Sequence, residues 1–224
     1  MMQRFKVVVF DVDGTLLDTS EGVIESVKYT IKKHNLKELD DVTLKTFIGP
    51  PIQDSFARVY GLKGSILQEL ATTFRNQYKD VDLLKAVPYE GIFDLIQKLL
   101  DEGMKVAIAT YKRQDYASAI MEHFGFDKYT DIIYGADHEN KLKKRDIIER
   151  ALRDSGVTDY MDAVMVGDSD NDAIGAESIG TQFIGVTYGF GFKNAEDVNK
   201  FKNIGAASTC LEIASYIIGG RDED

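Results

Sequence analysis

Lys6-Val7-Val8-Val9-Phe10-Asp11-Val12-Asp13-Gly14-Thr15 is the stretch on which the reading of this chain turns. A short β-branched run of this kind reads as a buried strand, and Gly14 just beyond it marks a turn. Asp11 and Asp13 therefore stand where a strand opens into a loop, two acids that packing does not require. Working outward, Val106-Ala107-Ile108-Ala109 is expected to be a strand ending at Thr110, and Ala163-Val164-Met165-Val166-Gly167 one ending at Asp168. A lysine cluster, Lys141, Lys143 and Lys144, lies between those two runs. In an open parallel sheet, ligands bind beyond the carboxyl ends of the strands. Three acids, a hydroxyl and a cation are thus expected at one crevice.

The intervening segments support that sheet. After Pro88, apolar helix faces alternate with short strands. Ile92-Leu95-Ile96-Leu99 and Tyr116-Ile120-Phe124 read as helices, Ile132-Ile133-Tyr134 as a strand, and Ile147-Ile148-Ala151-Leu152 as a further helix. A helix from Ala173 to Ile179, a strand Phe183-Ile184-Gly185-Val186, an edge strand at Ile204-Ala206-Ala207 and a last helix through Ile217 complete the series. The expected class is α/β, a Rossmann-like three-layer core in which helices cover both faces of a parallel sheet. From Asp18 to about Leu84 the pattern is helical throughout, as in Glu21-Ile24-Val27-Ile31 and Leu67-Leu70-Phe74-Tyr78, with a break at Gly49-Pro50-Pro51. Residues 1–17 and 85–224 are therefore expected to form the core domain, and residues 18–84 a small all-helical domain inserted after the first strand.

Composition narrows the function classes. The 224 residues carry a formal net charge of −10, which disfavours a nucleic-acid surface because a phosphate backbone would be repelled. No apolar stretch approaches the ~20 residues of a membrane span, and Met1-Met2-Gln3-Arg4 runs straight into a strand, so a cytoplasmic location is expected. Cys210 is the single cysteine and reads as a buried small hydrophobe, while His34, His123 and His138 have no zinc-type spacing. The tail Arg221-Asp222-Glu223-Asp224 reads as a solvated end.

Asp11-Val12-Asp13-Gly14-Thr15 resembles the first motif of the haloacid dehalogenase-like superfamily. Thr110, a lysine within 141–144, and Gly167-Asp168-Ser169-Asp170-Asn171-Asp172 follow in the order of its other three motifs. The resemblance spans residue 6 to about 192 and points to phosphoglycolate phosphatase-like members, whose cap the helical insertion and Phe47-Ile48-Gly49-Pro50-Pro51 resemble. It implies a Mg²⁺-dependent phosphatase acting on a small phosphate monoester through an aspartyl-phosphate. Related alternatives are a 5′-nucleotidase-like or sugar-phosphate phosphatase and a phosphomutase of the β-phosphoglucomutase type.

Under that resemblance Asp11 is the nucleophile and Asp13 the general acid and base. Thr110 holds a phosphoryl oxygen and a lysine neutralises the charge of transfer. The metal set is Asp11, Asp13 through its carbonyl, Asp168 and Asp172, an all-oxygen donor set that suits Mg²⁺. Lys144 is the first candidate for the lysine because it opens a helix; Lys141 matches relatives with a Lys-Pro-x-Pro loop but lacks the prolines, and Lys143 stands third. Tyr111 departs from the Asn or Ser that relatives often carry, and Tyr188-Gly189-Phe190-Gly191 resembles a loop of these relatives without an assigned role. The implied partner is a small phosphorylated metabolite, with no nucleic acid and no membrane, bound by a monomer or homodimer. A signalling receiver domain uses similar residue types. It carries its phosphorylated Asp after the third strand, where this chain has only Gly135-Ala136-Asp137, and has no place for the inserted helices.

Overall fold

A computed structural model describes residues 5–138 and 141–219; the leading Met1-Met2-Gln3-Arg4 and the tail Arg221-Asp222-Glu223-Asp224 lie outside the described residues. The chain divides into two compact units, Met1–Leu17 with Pro88–Asp224, and Asp18–Val87.

The first unit begins with β1 (Val7–Phe10), whose four side chains are all buried. Strand β2 (Leu17–Asp18) leads away from it. The second unit is built from α1 (Ser20–Lys33), α2 (Asp41–Lys45), α3 (Ile52–Tyr60) and α4 (Ser65–Gln77), followed by a π-helical turn at Tyr78–Asp82. Its core gathers Val27, Ile31, Leu44, Phe47, Phe56 and Leu70, the apolar faces that helical spacing places together. Phe47 and Phe56 meet edge to face, with ring centroids 5.1 Å apart. Asp82 is buried in the turn and accepts from Ser26 Oγ at 2.8 Å and Gln77 Nε2 at 3.0 Å. Strand β3 (Val87–Pro88) brings the chain back.

The first unit continues with α5 (Ile92–Asp101), β4 (Lys105–Arg113), α6 (Gln114–Phe124), β5 (Ile133–Ala136) and α7 (Lys144–Asp154). Then come β6 (Ala163–Gly167), α8 (Asp170–Ile179), β7 (Gln182–Val186), the short α9 (Ala195–Val198), β8 (Gly205–Ala207) and α10 (Cys210–Ile218). The six-stranded sheet has the order β5-β4-β1-β6-β7-β8, and all of its pairings are parallel. Side chains alternate along a strand. Val7 and Val9 accordingly join Ile147, Ile148, Ala151 and Ala173 of α7 and α8 on one face. Val8 and Phe10, equally buried, take the opposite face, where α5 packs on β4 and α10 on α5. Cover on both faces explains why the strands are continuously apolar.

The chain runs outward from β1 through β4 to β5, then returns to the other side of β1 with β6. That reversal makes β1 the switch point, the place where the crossover helices diverge and leave a crevice at the strand ends. One expectation is corrected here. β4 does not end at Thr110 but runs on to Arg113, with a register irregularity between Ala109 and Arg113 in its pairing with β5. Polar residues past an apolar run give no hydrophobic signal, so the continuation is invisible to periodicity. No described helix is long and apolar enough to cross a membrane.

Candidate active site

Register brings the acids together. Phe10 pairs with Val166, and the Asp11 amide extends that ladder to the Val166 carbonyl at 3.0 Å. Asp11 and Asp168 thus leave neighbouring strands at the same end of the sheet. Gly167 is obligatory in this arrangement: a Cβ there would lie 2.4 Å from Cγ of Asp172. Without it, the Asp172 carboxylate folds back over the strand end. Its Oδ2 accepts from Ser169 N at 3.1 Å and Ser169 Oγ at 2.7 Å, closing a capping box at the start of α8.

The loop after β7 fixes Asp168. Its Oδ2 accepts from the Phe190 amide at 2.6 Å and the Gly191 amide at 3.0 Å, while its carbonyl accepts from Phe192 N at 2.8 Å. A Cβ on Gly189 would fall 2.3 Å from the Gly14 carbonyl and 2.5 Å from Asp168 Oδ2, so the loop reaches the acid only as glycine. The Gly-x-Gly spacing was the available signal for this loop. Its contacts are made by backbone amides, which residue types do not announce.

Lys144 opens α7 with its ammonium buried among the acids. Nζ donates to Asp11 Oδ1 at 2.6 Å. It also lies 2.6 Å from Asp172 Oδ1, an oxygen that has this charge beside it but no aligned donor. Lys141 and Lys143 are exposed; the Lys141 amide is bonded to Asp137 and the Lys143 amide to Asp146.

Asp11, Asp168 and Asp172 each offer a carboxylate oxygen, and those oxygens lie within 4.8 Å of one another. All three acids are buried. Burial pushes Asp11 up to about 6 against the pull of Lys144, with repulsion from Asp172 and Asp13 adding to it. Burial likewise raises Asp168 to about 7, reinforced by Asp172 and Asp11 and opposed by the Gly191 and Phe190 amides. For Lys144, burial works downward, but Asp11 and Asp172 overcome it and hold the ammonium well above the ordinary lysine range. Three buried acids around one ammonium leave an excess of negative charge that a divalent cation would relieve. The all-oxygen donor set and the unaligned Asp172 Oδ1 fit a hard ion of that kind.

The β4 side carries the remaining groups. Thr110 is buried, two residues beyond Ile108, the register partner of Phe10, and its Oγ1 accepts from the Lys112 amide at 3.2 Å. Tyr111 accepts at its hydroxyl from the Lys144 amide at 2.8 Å. Lys112 Nζ lies 3.0 Å from Asp13 Oδ1 and is almost fully buried. Lys112 escaped the sequence reading because it lies past the expected strand end; its spacing of two from Thr110 along an extended strand was the signal for a shared face.

The chain's likenesses agree with this geometry. Residues 8–186 match the family described as haloacid dehalogenase-like hydrolase. A 5′-nucleotidase of Pseudomonas aeruginosa is 32% identical over 188 residues, 84% of this chain and 85% of that protein. Pyrophosphatase PpaX of Halalkalibacterium halodurans is 31% identical over 182 residues, 81% of this chain and 83% of that protein. The crystal structure of a predicted phosphatase from Clostridium acetobutylicum superimposes with a TM-score of 0.86 at 34% identity, covering 96% of this chain and 99% of that one. With its family matched over most of its length and a 5′-nucleotidase, a pyrophosphatase and a predicted phosphatase among its relatives, this chain is a phosphoric monoester hydrolase by class and belongs to the haloacid dehalogenase-like hydrolases.

Proposed function

We propose that the protein is a Mg²⁺-dependent cytoplasmic phosphatase that hydrolyses a small phosphate monoester through an aspartyl-phosphate on Asp11. The observation that carries this reading is the contact of Lys144 Nζ with Asp11 Oδ1 at 2.6 Å inside a buried cluster of acids. A carboxylate set beside an ammonium at the switch point has its charge balanced and its orientation fixed, as a nucleophile for phosphorus requires.

In the first step an Asp11 oxygen forms a bond to phosphorus as the bond to the leaving oxygen breaks, and Asp13 gives that oxygen its proton. In the second, water forms a bond to phosphorus, the Asp11 oxygen leaves as a carboxylate, and Asp13 takes the proton from the water. Thr110, whose Oγ1 already accepts from the Lys112 amide, has its hydroxyl proton to give to a phosphoryl oxygen. Lys144 balances the charge that accumulates on the transferring group. Asp11, the Asp13 carbonyl, Asp168 and Asp172 would hold the cation, with Lys144 and Ser169 fixing the Asp172 carboxylate. When bound, Mg²⁺ supplies positive charge against the phosphoryl oxygens and lowers the cluster's repulsion for an anionic substrate.

The helical insertion, residues 18–84, acts in this reading as the cap that recognises the leaving group. Glycolate, leaving from 2-phosphoglycolate, is the first candidate; a nucleoside, leaving from its 5′-monophosphate, is the second, favoured by the P. aeruginosa relative. The test is phosphate release from p-nitrophenyl phosphate, 2-phosphoglycolate, nucleoside monophosphates, sugar phosphates and pyrophosphate, with Mg²⁺ and with EDTA. Asp11→Asn is expected to lower turnover about a thousandfold or more. Substantial turnover by that variant, or undiminished turnover in EDTA, overturns the mechanism.

A further inference from the structure

We infer that Tyr111 is a positioning residue that seats Lys144 from the neighbouring strand. The inference rests on the reading of Lys144 as the cation facing the transferred group.

The first turn of a helix leaves backbone amides without partners, and an N-cap side chain ordinarily accepts from one or more of them. The N-cap of α7 is Lys143, whose ammonium has no acceptor to offer. Part of the task is met inside the turn, where Asp146 accepts from the Lys143 amide at 2.9 Å. The Lys144 amide is met from outside: the Tyr111 hydroxyl, carried on β4, accepts from it at 2.8 Å. The same ring stands beneath the other end of the residue, with Lys144 Nζ 5.8 Å from its centroid. That separation is within the range over which an aromatic face attracts a cation.

The need for such a seat is electrostatic. An ammonium in the first turn of a helix opposes the helix dipole, which favours negative charge there. Lys144 is nonetheless only 3% exposed and is held between Asp11 and Asp172. Tyr111 grips it at both ends, by a hydrogen bond at the backbone and by the π face at the charge. A small amide or hydroxyl side chain at this position lacks the face that Nζ meets.

The test compares wild type with Tyr111→Phe and Tyr111→Leu. Phe keeps the ring and loses the acceptor; Leu loses both. Amide hydrogen exchange resolved at Lys144 is expected to accelerate about tenfold in each variant, the loss of one hydrogen bond. With Mg²⁺ and p-nitrophenyl phosphate, kcat is expected to fall about threefold in the Phe variant and about thirtyfold in the Leu variant, with KM within about twofold. Lys144 exchange unchanged in the Phe variant overturns the hydroxyl anchor. Equal kcat in all three proteins, or a KM change as large as the kcat change, overturns the seat. Should the Leu variant fail to fold, the Phe variant decides by exchange and by kcat. If wild type releases no phosphate from any ester, the phosphatase reading fails, and the exchange measurement still decides whether Tyr111 anchors α7.

Discussion

β6 and β4 flank β1 and carry the two halves of the site, but they are built by different means. On the β6 side, Asp168 is gripped by the Phe190, Gly191 and Phe192 amides, and Asp172 by Ser169 and Lys144. Glycines at 167 and 189 stand where any Cβ would collide with those acids. On the β4 side, side chains do the holding: Tyr111 to Lys144, and Lys112 to Asp13. That strand is irregular where it does so, and Tyr111 is 39% exposed. A half fixed by backbone and absent side chains has little freedom to vary. A half fixed by side chains can be retuned one residue at a time.

The largest expected effect lies on the β6 side. Burial raises Asp168 to about 7, and Asp11 to about 6, against 3.8 for an ordinary aspartate. A carboxyl raised on folding stays protonated where the unfolded chain has released its proton. The stability it permits is complete below about pH 4 and is lost as pH rises towards 7. In EDTA, the protein is therefore expected to melt at lower temperature at pH 8 than at pH 5. Asp168→Asn should flatten that fall, gaining on the order of 3 kcal/mol at pH 8. An unaltered slope in the variant would show that the acids are not the strained element of this half.

Gly189→Ala comes next. Its new Cβ would sit 2.3 Å from the Gly14 carbonyl and 2.5 Å from Asp168 Oδ2, and a loss of about 2 kcal/mol in urea denaturation is expected. A neutral result would mean that the loop can withdraw, and that the β6 half is less rigid than its contacts imply.

The smallest effect on stability is expected across β4. Lys112→Met removes a buried ammonium but keeps the stem and leaves behind only Asp13, which is 23% exposed and can be hydrated, so it should change stability by about 1 kcal/mol while lowering kcat several-fold. A stability loss as large as that of Gly189→Ala would erase the distinction between the halves.

This division also marks what the sequence disclosed. The strands at 7–10 and 163–167 are legible because cover on both faces demands unbroken apolar runs, and acids at their ends are conspicuous. The parallel α/β core with its helical insertion follows from the alternation of periods. Lys112 was not legible, because β4 carries on through Tyr-Lys-Arg without a hydrophobic signal. The loop at 188–191 resembled that of relatives, yet its work is done by amides that every residue possesses. Tyr111 was conspicuous as a departure, but its contact with the start of α7 spans 33 positions and depends on how β4 lies beside that helix.

The register of β1 has a consequence for the order of assembly. Val7 pairs with Lys105 on one side and with Ala163 on the other, so the central strand waits for neighbours distant along the chain. Asp11 meets its ammonium 133 positions away, and local helix formation cannot bring the two together. During synthesis, the α5–α7 segment can emerge and collapse while the first strand still lacks its β6 edge. Closure of the Asp11–Lys144 contact thus becomes a late event, and its onset a natural clock for completion of the sheet.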